Sequence, residues 1–177
     1  LTVRLGIDFD NTIARYDVLF VEEARAAKLV PNQWVGCKKK VRDFLHEQED
    51  GDKLWQTLQG RVYGKAMHRA ILMPGIAWFL YRCTRRGIPI IIVSHKTEFG
   101  HYDPDQIPLR KVAMEWMEGK GFFDQEVFGL KAENVYFEST RKEKVQRICQ
   151  LGITHFVDDL LEVFSEPEFP HSVIKIL

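Results

Sequence analysis

Short apolar runs alternate along this chain with longer segments in which apolar residues recur every three or four positions. The runs predict β-strands, because they are rich in β-branched residues and too short for helices, whereas the periodic segments predict amphipathic helices. The clearest run, residues 89–93, is apolar throughout, which is typical of a strand buried on both faces. The pattern predicts strands at residues 3–7, 89–93, 135–137, 155–157 and 173–176.

Strands that alternate with helices indicate an α/β fold, a doubly wound parallel sheet with helices on both faces. One gap between strands, residues 15–73, has the periodicity of helices and is too long for a simple crossover. We therefore expect a Rossmann-like core made of residues 1–14 and 74–177, into which residues 15–73 are inserted as a helical cap.

The composition is that of a globular protein. The 177 residues are 45% hydrophobic and 28% charged, which excludes a disordered or fibrous chain. The 25 basic residues equal the 25 acidic ones, so a net charge of zero gives no electrostatic case for a general nucleic-acid binder. A small phosphorylated ligand is still compatible with this charge, since it needs only a local basic pocket.

Cysteine usage bears on the cellular compartment. The three cysteines form no C-x-x-C pair and have no spacing suited to structural zinc, so we expect a reducing compartment, the cytoplasm. The longest apolar run is far too short to span a bilayer, and the first residues lack the apolar segment of a secretory signal. We expect neither a membrane nor a nucleic acid among the partners.

Reactive polar residues directly follow three of the predicted strands. Asp8 and Asp10 come after the first strand, Ser94 after the second, and Asp158 with Asp159 after the fourth. Ligands of open parallel sheets bind beyond the carboxyl ends of the strands, so we expect these residues to meet at one rim. Carboxylates in close quarters repel one another unless a cation lies between them. A hard cation with oxygen ligands, most simply Mg²⁺, would satisfy this arrangement.

A metal held by carboxylates suits phosphoryl transfer. The metal screens an aspartate from the charge of a phosphate, which lets the carboxylate attack phosphorus. A second aspartate can protonate the leaving group and then take a proton from water. The transferring group also needs hydrogen-bond donors, which Ser94 and a lysine ahead of the next strand would supply.

The order of these residues resembles that of the haloacid dehalogenase-like superfamily of hydrolases, and the resemblance extends along the whole chain. The matching positions are residues 8–12, Ser94 after its apolar run, Lys142, and the pair Asp158 and Asp159. Residue 11 is an asparagine where the family often has glycine, although asparagine also tolerates unusual backbone angles. The family has a doubly wound parallel sheet, in agreement with the element order.

The resemblance implies a role for each matching aspartate. Asp8 would be the nucleophile that becomes an aspartyl-phosphate, and also a metal ligand. Asp10 would be the general acid and base, with its backbone carbonyl on the metal. Asp158 would bind Mg²⁺, and Asp159 would bind it through water or orient its neighbours.

The resemblance also implies a lysine that balances the charge of the nucleophile and the phosphate, for which two candidates precede the last aspartates. We favour Lys142, because it lies at the start of a helix with Val145 three residues on, and we expect Lys144 to be solvated. On the loop after Ser94, the residues expected nearest the phosphate are His95 and Lys96. The substrate-binding set expected on these grounds is Thr12, Ser94, His95 and Lys96.

Taken together, the sequence predicts a Mg²⁺-dependent phosphatase that hydrolyses a small phosphomonoester through an aspartyl-phosphate on Asp8. A nucleotidase or a phosphotransferase on the same scaffold is a related alternative, and a non-catalytic metal-binding protein with this fold is another. Asp10 argues against a dehalogenase, because that reaction has no leaving-group oxygen to protonate.

Overall fold

The computed structural model describes residues 2–177, so Leu1, the first residue of the expected core, lies outside the described residues. The strands are β1 (Leu5–Ile7), β2 (Ala14–Arg15), β3 (Ile71–Leu72), β4 (Ile90–His95), β5 (Val135–Glu138), β6 (His155–Val157) and β7 (Ile174–Ile176). Five of them form one sheet in the order β5-β4-β1-β6-β7, with every neighbouring pair parallel, and β2 pairs with β3. The predicted α/β fold with a parallel sheet is confirmed.

The α-helices in residues 2–177 are α1 (Asp17–Ala26), α2 (Lys38–His46), α3 (Gly51–Tyr63), α4 (Ile76–Arg85), α5 (Leu109–Gly119), α6 (Arg141–Gln150) and α7 (Leu161–Phe164). None of them combines the length and the apolar character that crossing a bilayer requires. Helices α4 to α7 alternate along the chain with strands β4 to β7, as the sequence predicted.

Burial along the sheet matches its strand order. The three residues of β1 and the first five of β4 are buried, as expected of strands in the middle of a sheet that is covered on both faces. Strand β7 lies at one edge, and all three of its residues are exposed. The centre of the sheet is therefore its buried part, and strands β1 and β4 lead from it into the candidate site.

Helix α6 begins at a capping box. The Thr140 hydroxyl accepts a hydrogen bond from the Glu143 amide at 3.1 Å, and the Glu143 carboxylate accepts one from the Thr140 amide at 2.9 Å. Val145 and Ile148 then pack on the sheet in a cluster with Val93 and other apolar residues. The capping box fixes where the helix starts, and the apolar residues fix which face of the helix lies on the sheet.

The chain forms two compact units, which we describe separately. The core unit comprises Leu1–Arg15, Leu72–Thr97 and Met117–Leu177, and the inserted unit comprises Tyr16–Ile71 and Glu98–Trp116. The sequence analysis had expected residues 98–116 in the core. Their packing explains the difference, since a Cβ atom on Gly100 would lie 2.6 Å from the Cα atom of Gly60 in α3.

Inside the inserted unit, α1, α2 and α3 pack around aromatic side chains. The buried Phe20 ring stacks on Trp55 with centroids 5.0 Å apart, and it meets the Tyr63 ring edge-on at 5.6 Å. The indole of Trp116 donates a hydrogen bond to the Ala70 carbonyl at 2.9 Å, which ties α5 to this unit. These aromatic residues form a core for the unit.

Candidate active site

The register of the central strands brings the predicted polar residues to one rim of the sheet. Ile7 pairs with Ile92 of β4 on one side and with Val157 of β6 on the other. Asp8 directly follows Ile7, and its backbone amide donates to the Val157 carbonyl at 2.8 Å. Parallel strands end at the same edge, so the side chains that follow them converge on Asp8.

The Asp8 carboxylate is buried and is held by two donors from other parts of the sequence. The Ser94 hydroxyl donates to Oδ1 at 2.9 Å, and the Lys144 ammonium donates to the same oxygen at 2.6 Å. Hydrogen bonds to a charged group are stronger than those between neutral groups, so this pair fixes the orientation of the carboxylate. Ser94 is itself buried, which keeps its hydroxyl in place.

Lys144 also bridges to Asp158, whose Oδ2 lies 2.6 Å from the ammonium. The Lys144 side chain is only 2% exposed. Burial by itself lowers the pKa of this ammonium, but the Asp8 and Asp158 carboxylates outweigh burial, so the pKa of Lys144 is raised and the side chain stays charged. The two carboxylates are thus joined by one buried cation.

The expectation that Lys142 lies at the site and that Lys144 is solvated is wrong. Its side chain is 65% exposed and its ammonium lies 3.1 Å from the Glu168 carboxylate on the surface. The face of α6 that lies on the sheet carries Lys144, Val145 and Ile148, and Lys142 lies outside that face. Lys144 therefore occupies the position that the sequence analysis had given to Lys142.

Negative charge remains in excess around Asp8. Burial raises the pKa of Asp8 from 3.8 to about 7, although Lys144 acts in the opposite direction, and the nearby Asp158 and Asp10 add to the increase. Burial is thus the leading cause of the raised pKa of Asp8, and a cation bound beside Asp8 would favour its ionised form.

Three carboxylates lie close enough to hold one ion. Asp8, Asp158 and Asp159 can each offer an oxygen such that all three oxygens lie within 4.8 Å of one another. The first two are buried and Asp159 is exposed, so the cluster has a covered side and an open side. Carboxylate oxygens are the ligands that hard divalent cations take. The donor set and its excess negative charge fit a divalent cation.

The other predicted site residues lie on the same unit. The Asp10 carboxylate pairs with the Lys96 ammonium, at 2.8 Å to Oδ2 and 3.1 Å to Oδ1. His95 is exposed, and its Nε2 atom lies 3.0 Å from the Ser139 carbonyl oxygen. Thr12 has a buried hydroxyl with no hydrogen-bond partner among residues 2–177. The sequence analysis had not foreseen the pair formed by Asp10 and Lys96.

Asn11 gives the loop its shape. Its φ angle is 61°, in the left-handed region that asparagine tolerates better than most residues. The backbone amide of Asn11 donates a hydrogen bond to the Ala14 carbonyl at 2.8 Å, which closes the turn. Asn11 thus supplies the left-handed backbone conformation that this turn requires.

Comparisons with known proteins agree with this architecture. No family model matches the chain. A 2-hydroxy-3-keto-5-methylthiopentenyl-1-phosphate phosphatase from Brevibacillus brevis is 29% identical over 100 residues, which are 54% of this chain and 44% of that protein. The matched part therefore spans less than half the length of that relative.

Two solved structures share the fold. A haloacid dehalogenase-like hydrolase from Streptococcus pneumoniae aligns with a TM-score of 0.59 at 14% identity, over 98% of this chain and 83% of its own. A hydrolase of the same family from Deinococcus radiodurans, solved with bound phosphate and sodium, aligns with a TM-score of 0.53 at 15% identity, over 90% of this chain and 73% of its own. The chain therefore has the haloacid dehalogenase-like fold.

Proposed function

We propose that this protein is a magnesium-dependent phosphatase that hydrolyses a small phosphomonoester through an aspartyl-phosphate on Asp8. The observation that carries the proposal is the buried Asp8 carboxylate, which two donors orient beside further carboxylates. A surface aspartate would not need such support. Burial raises the pKa of Asp8 to about 7, and a carboxyl perturbed in this way beside specific charged partners marks a candidate functional site.

Asp8, Asp158 and Asp159 would hold the magnesium ion, together with the backbone carbonyl of Asp10. When bound, the ion supplies positive charge that offsets the charge of the nucleophile and of the substrate phosphate. The all-oxygen donor set supports magnesium over softer metals. The same charge would favour the ionised form of Asp8.

The residues of the chain divide the reaction between them. An Asp8 oxygen attacks phosphorus, the bond from phosphorus to the ester oxygen breaks, and Asp10 gives its proton to that leaving oxygen. Ser94 and Lys144 border the Asp8 carboxylate and donate hydrogen bonds to the phosphoryl oxygens. Asp10 then takes a proton from water as the water oxygen attacks phosphorus, which releases inorganic phosphate and restores Asp8. His95 and Thr12 are the substrate contacts within this proposal.

The test is phosphate release from a panel of phosphomonoesters, with and without Mg²⁺. The panel contains sugar phosphates, nucleoside monophosphates and the ester named for the Brevibacillus relative. We expect release that depends on Mg²⁺ and is abolished by Asp8→Asn but retained by Asp43→Asn, which removes an exposed carboxylate on α2. Acid quenching followed by mass spectrometry should locate one phosphoryl group on the peptide that contains Asp8.

The outcomes separate the alternatives. Preference for nucleoside monophosphates identifies a nucleotidase, and transfer of the phosphoryl group to an added alcohol identifies a phosphotransferase. Magnesium binding without turnover of any ester identifies a non-catalytic metal-binding protein. Turnover that survives in Asp8→Asn contradicts the proposed nucleophile.

A further inference from the structure

One face of helix α4 presents aromatic and basic side chains to solvent. Ile76, Leu80 and Cys83 are buried, so the opposite side of the helix is its outer face. The exposed residues on that outer face follow the i, i+3, i+4 and i+7 spacing of a single helix face. They are Trp78, Tyr81, Arg82 and Arg85, which we call the α4 face.

The side chains of the α4 face are ordered against one another. The Tyr81 ring stacks on the Trp78 ring with centroids 5.8 Å apart, and the Arg82 guanidinium lies 5.9 Å from the centre of the Trp78 ring. Trp78 is nevertheless 63% exposed and Tyr81 39% exposed. Tryptophan, tyrosine and arginine are the residue types that dominate the binding energy of protein interfaces. The α4 face therefore has the composition of a docking surface.

The charge of this face restricts what can dock on it. Helix α4 has no acidic residue, and the exposed Arg86 directly follows it. Within residues 2–177, none of Arg82, Arg85 and Arg86 forms an ion pair. Two α4 faces laid against each other would bring arginines against arginines, which opposes association. The occupant must therefore carry carboxylates.

The inserted unit carries a surface of the opposite charge. Residues 47–52, which run from the end of α2 into the first turn of α3, contain four exposed carboxylates. They are Glu47, Glu49, Asp50 and Asp52, and we call residues 47–52 the acidic loop. Among the described residues, the basic group that pairs with the acidic loop is His46, whose Nε2 atom lies 3.5 Å from an Asp52 oxygen. The loop, like the α4 face, has charge that the chain itself leaves largely uncompensated.

We infer that the α4 face binds the acidic loop of a second copy of this chain. Arginine donates paired hydrogen bonds to carboxylates, and such charge-assisted bonds are among the stronger ones in proteins. The half-buried Phe44 and Leu54 lie close to the loop in the sequence and offer apolar surface to the exposed rings. A dimer with two-fold symmetry makes this contact twice. Because the net charge of the chain is zero, overall repulsion between copies does not oppose the contact.

Sedimentation velocity of the whole chain at about 50 mM and about 500 mM NaCl tests the inference, because salt screens attraction between exposed charges. We expect wild type to associate at low salt and to dissociate at high salt. The arginine variant, Arg82→Glu with Arg85→Glu, should raise the dissociation constant about 100-fold or more. The loop variant, Glu47→Lys with Glu49→Lys, should do the same.

An equimolar mixture of the two variants makes the test specific. It should associate as wild type does, because each contact in the mixed dimer again joins opposite charges. Trp78→Ala should weaken the association of wild type at low salt, since the exposed ring surface is lost. The matched control is Lys131→Glu with Lys142→Glu, which reverses two exposed lysines elsewhere on the core unit and should leave association unchanged. Circular dichroism checks that every variant is folded.

Several results would overturn the inference. They are a wild type that stays monomeric at about 100 μM and low salt, a loop variant that associates as wild type does, and a mixture that stays monomeric. A monomeric wild type that sediments with phosphatidylserine vesicles, or that binds an oligonucleotide, would assign the α4 face to an anionic lipid surface or to a nucleic acid instead. The assay does not measure turnover, so its failure leaves the proposed function unaffected.

Discussion

Replacing Lys144 by methionine should destabilise the protein in a way that replacing Lys142 does not. The two lysines are two residues apart on α6, yet Lys144 is buried between Asp8 and Asp158 whereas Lys142 is largely exposed. Methionine has a similar length and no charge. Lys144→Met therefore leaves two buried carboxylates, with Asp159 close by, and removes the cation that joins them.

The contacts set the size of the effect. Removing one partner of a buried ion pair costs about 3–5 kcal/mol, because the remaining charge has neither water nor a counter-ion. For a chain of this length each kcal/mol corresponds to roughly 2–4 °C in the unfolding temperature, so we expect a fall of about 6–20 °C. The same substitution at the exposed Lys142 should leave the unfolding temperature unchanged within error.

Thermal unfolding followed by circular dichroism at pH 8 is the assay, in the presence of a chelator. At pH 5.5 the deficit of Lys144→Met should shrink, because Asp8 can then take up a proton and lose its charge. Added Mg²⁺ should raise the unfolding temperature of Lys144→Met more than that of wild type, since the ion replaces lost positive charge. Equal effects of the two lysine substitutions would refute the assignment of Lys144 to the site.

Three further predictions concern the metal, the loop and the inserted unit. Because the pKa of Asp8 is raised to about 7, Mg²⁺ affinity should increase as pH rises from 6 to 8 with release of a proton, which calorimetry in buffers of different ionisation enthalpy measures. Because φ is positive at residue 11, Asn11→Val should lower the free energy of unfolding by about 1–2 kcal/mol, whereas Asn11→Gly should be tolerated. Urea unfolding measures both variants, and equal stability of the two would contradict this prediction. Gly100→Ala should destabilise the protein because its Cβ would meet the backbone of Gly60, whereas Gly119→Ala, with nothing within 4 Å of its Cβ, should not do so in the same assay.

Hydrophobic pattern was enough to predict the strands that carry the site. A continuous apolar run followed by Ser94, and shorter runs followed by Asp8 and Asp158, are local signals that do not depend on the rest of the chain. The rule that parallel strands end at one rim then places these residues together. The sheet and its acidic rim were therefore predictable from the sequence.

The lysine was not predictable by the same means, because a buried lysine contradicts the rule that lysines are solvated. The spacing of residues along α6 did, however, indicate which of the two lysines is buried. Lys144 lies four residues before Ile148 and next to Val145, on the face that packs on the sheet, whereas Lys142 shares its spacing with the exposed Cys149. Burial of Lys144 is favourable because two carboxylates lie opposite that face, one 136 residues before it in the chain and one 14 residues after it.

Two further features could not be predicted from the sequence, for a related reason. One is the ion pair between Asp10 and Lys96, and the other is the assignment of residues 98–116 to the inserted unit. Both depend on contacts between segments far apart in the chain, 86 residues in the case of the ion pair. Nothing in the sequence indicates that Gly60 and Gly100, which are 40 positions apart, pack closely against each other. Periodicity describes the faces of an element but not what those faces meet.

The wide spacing of the site residues along the chain has a consequence for biosynthesis. Asp8 leaves the ribosome 136 residues before its lysine partner, and Asp158 follows 14 residues after that lysine. Long-range pairings of this kind form slowly and late, because distant segments must meet before they gain any contact. A nascent chain therefore carries Asp8, the proposed nucleophile, long before Lys144 and Asp158 can pack beside it. The candidate site can therefore assemble only after Asp158 has been synthesised.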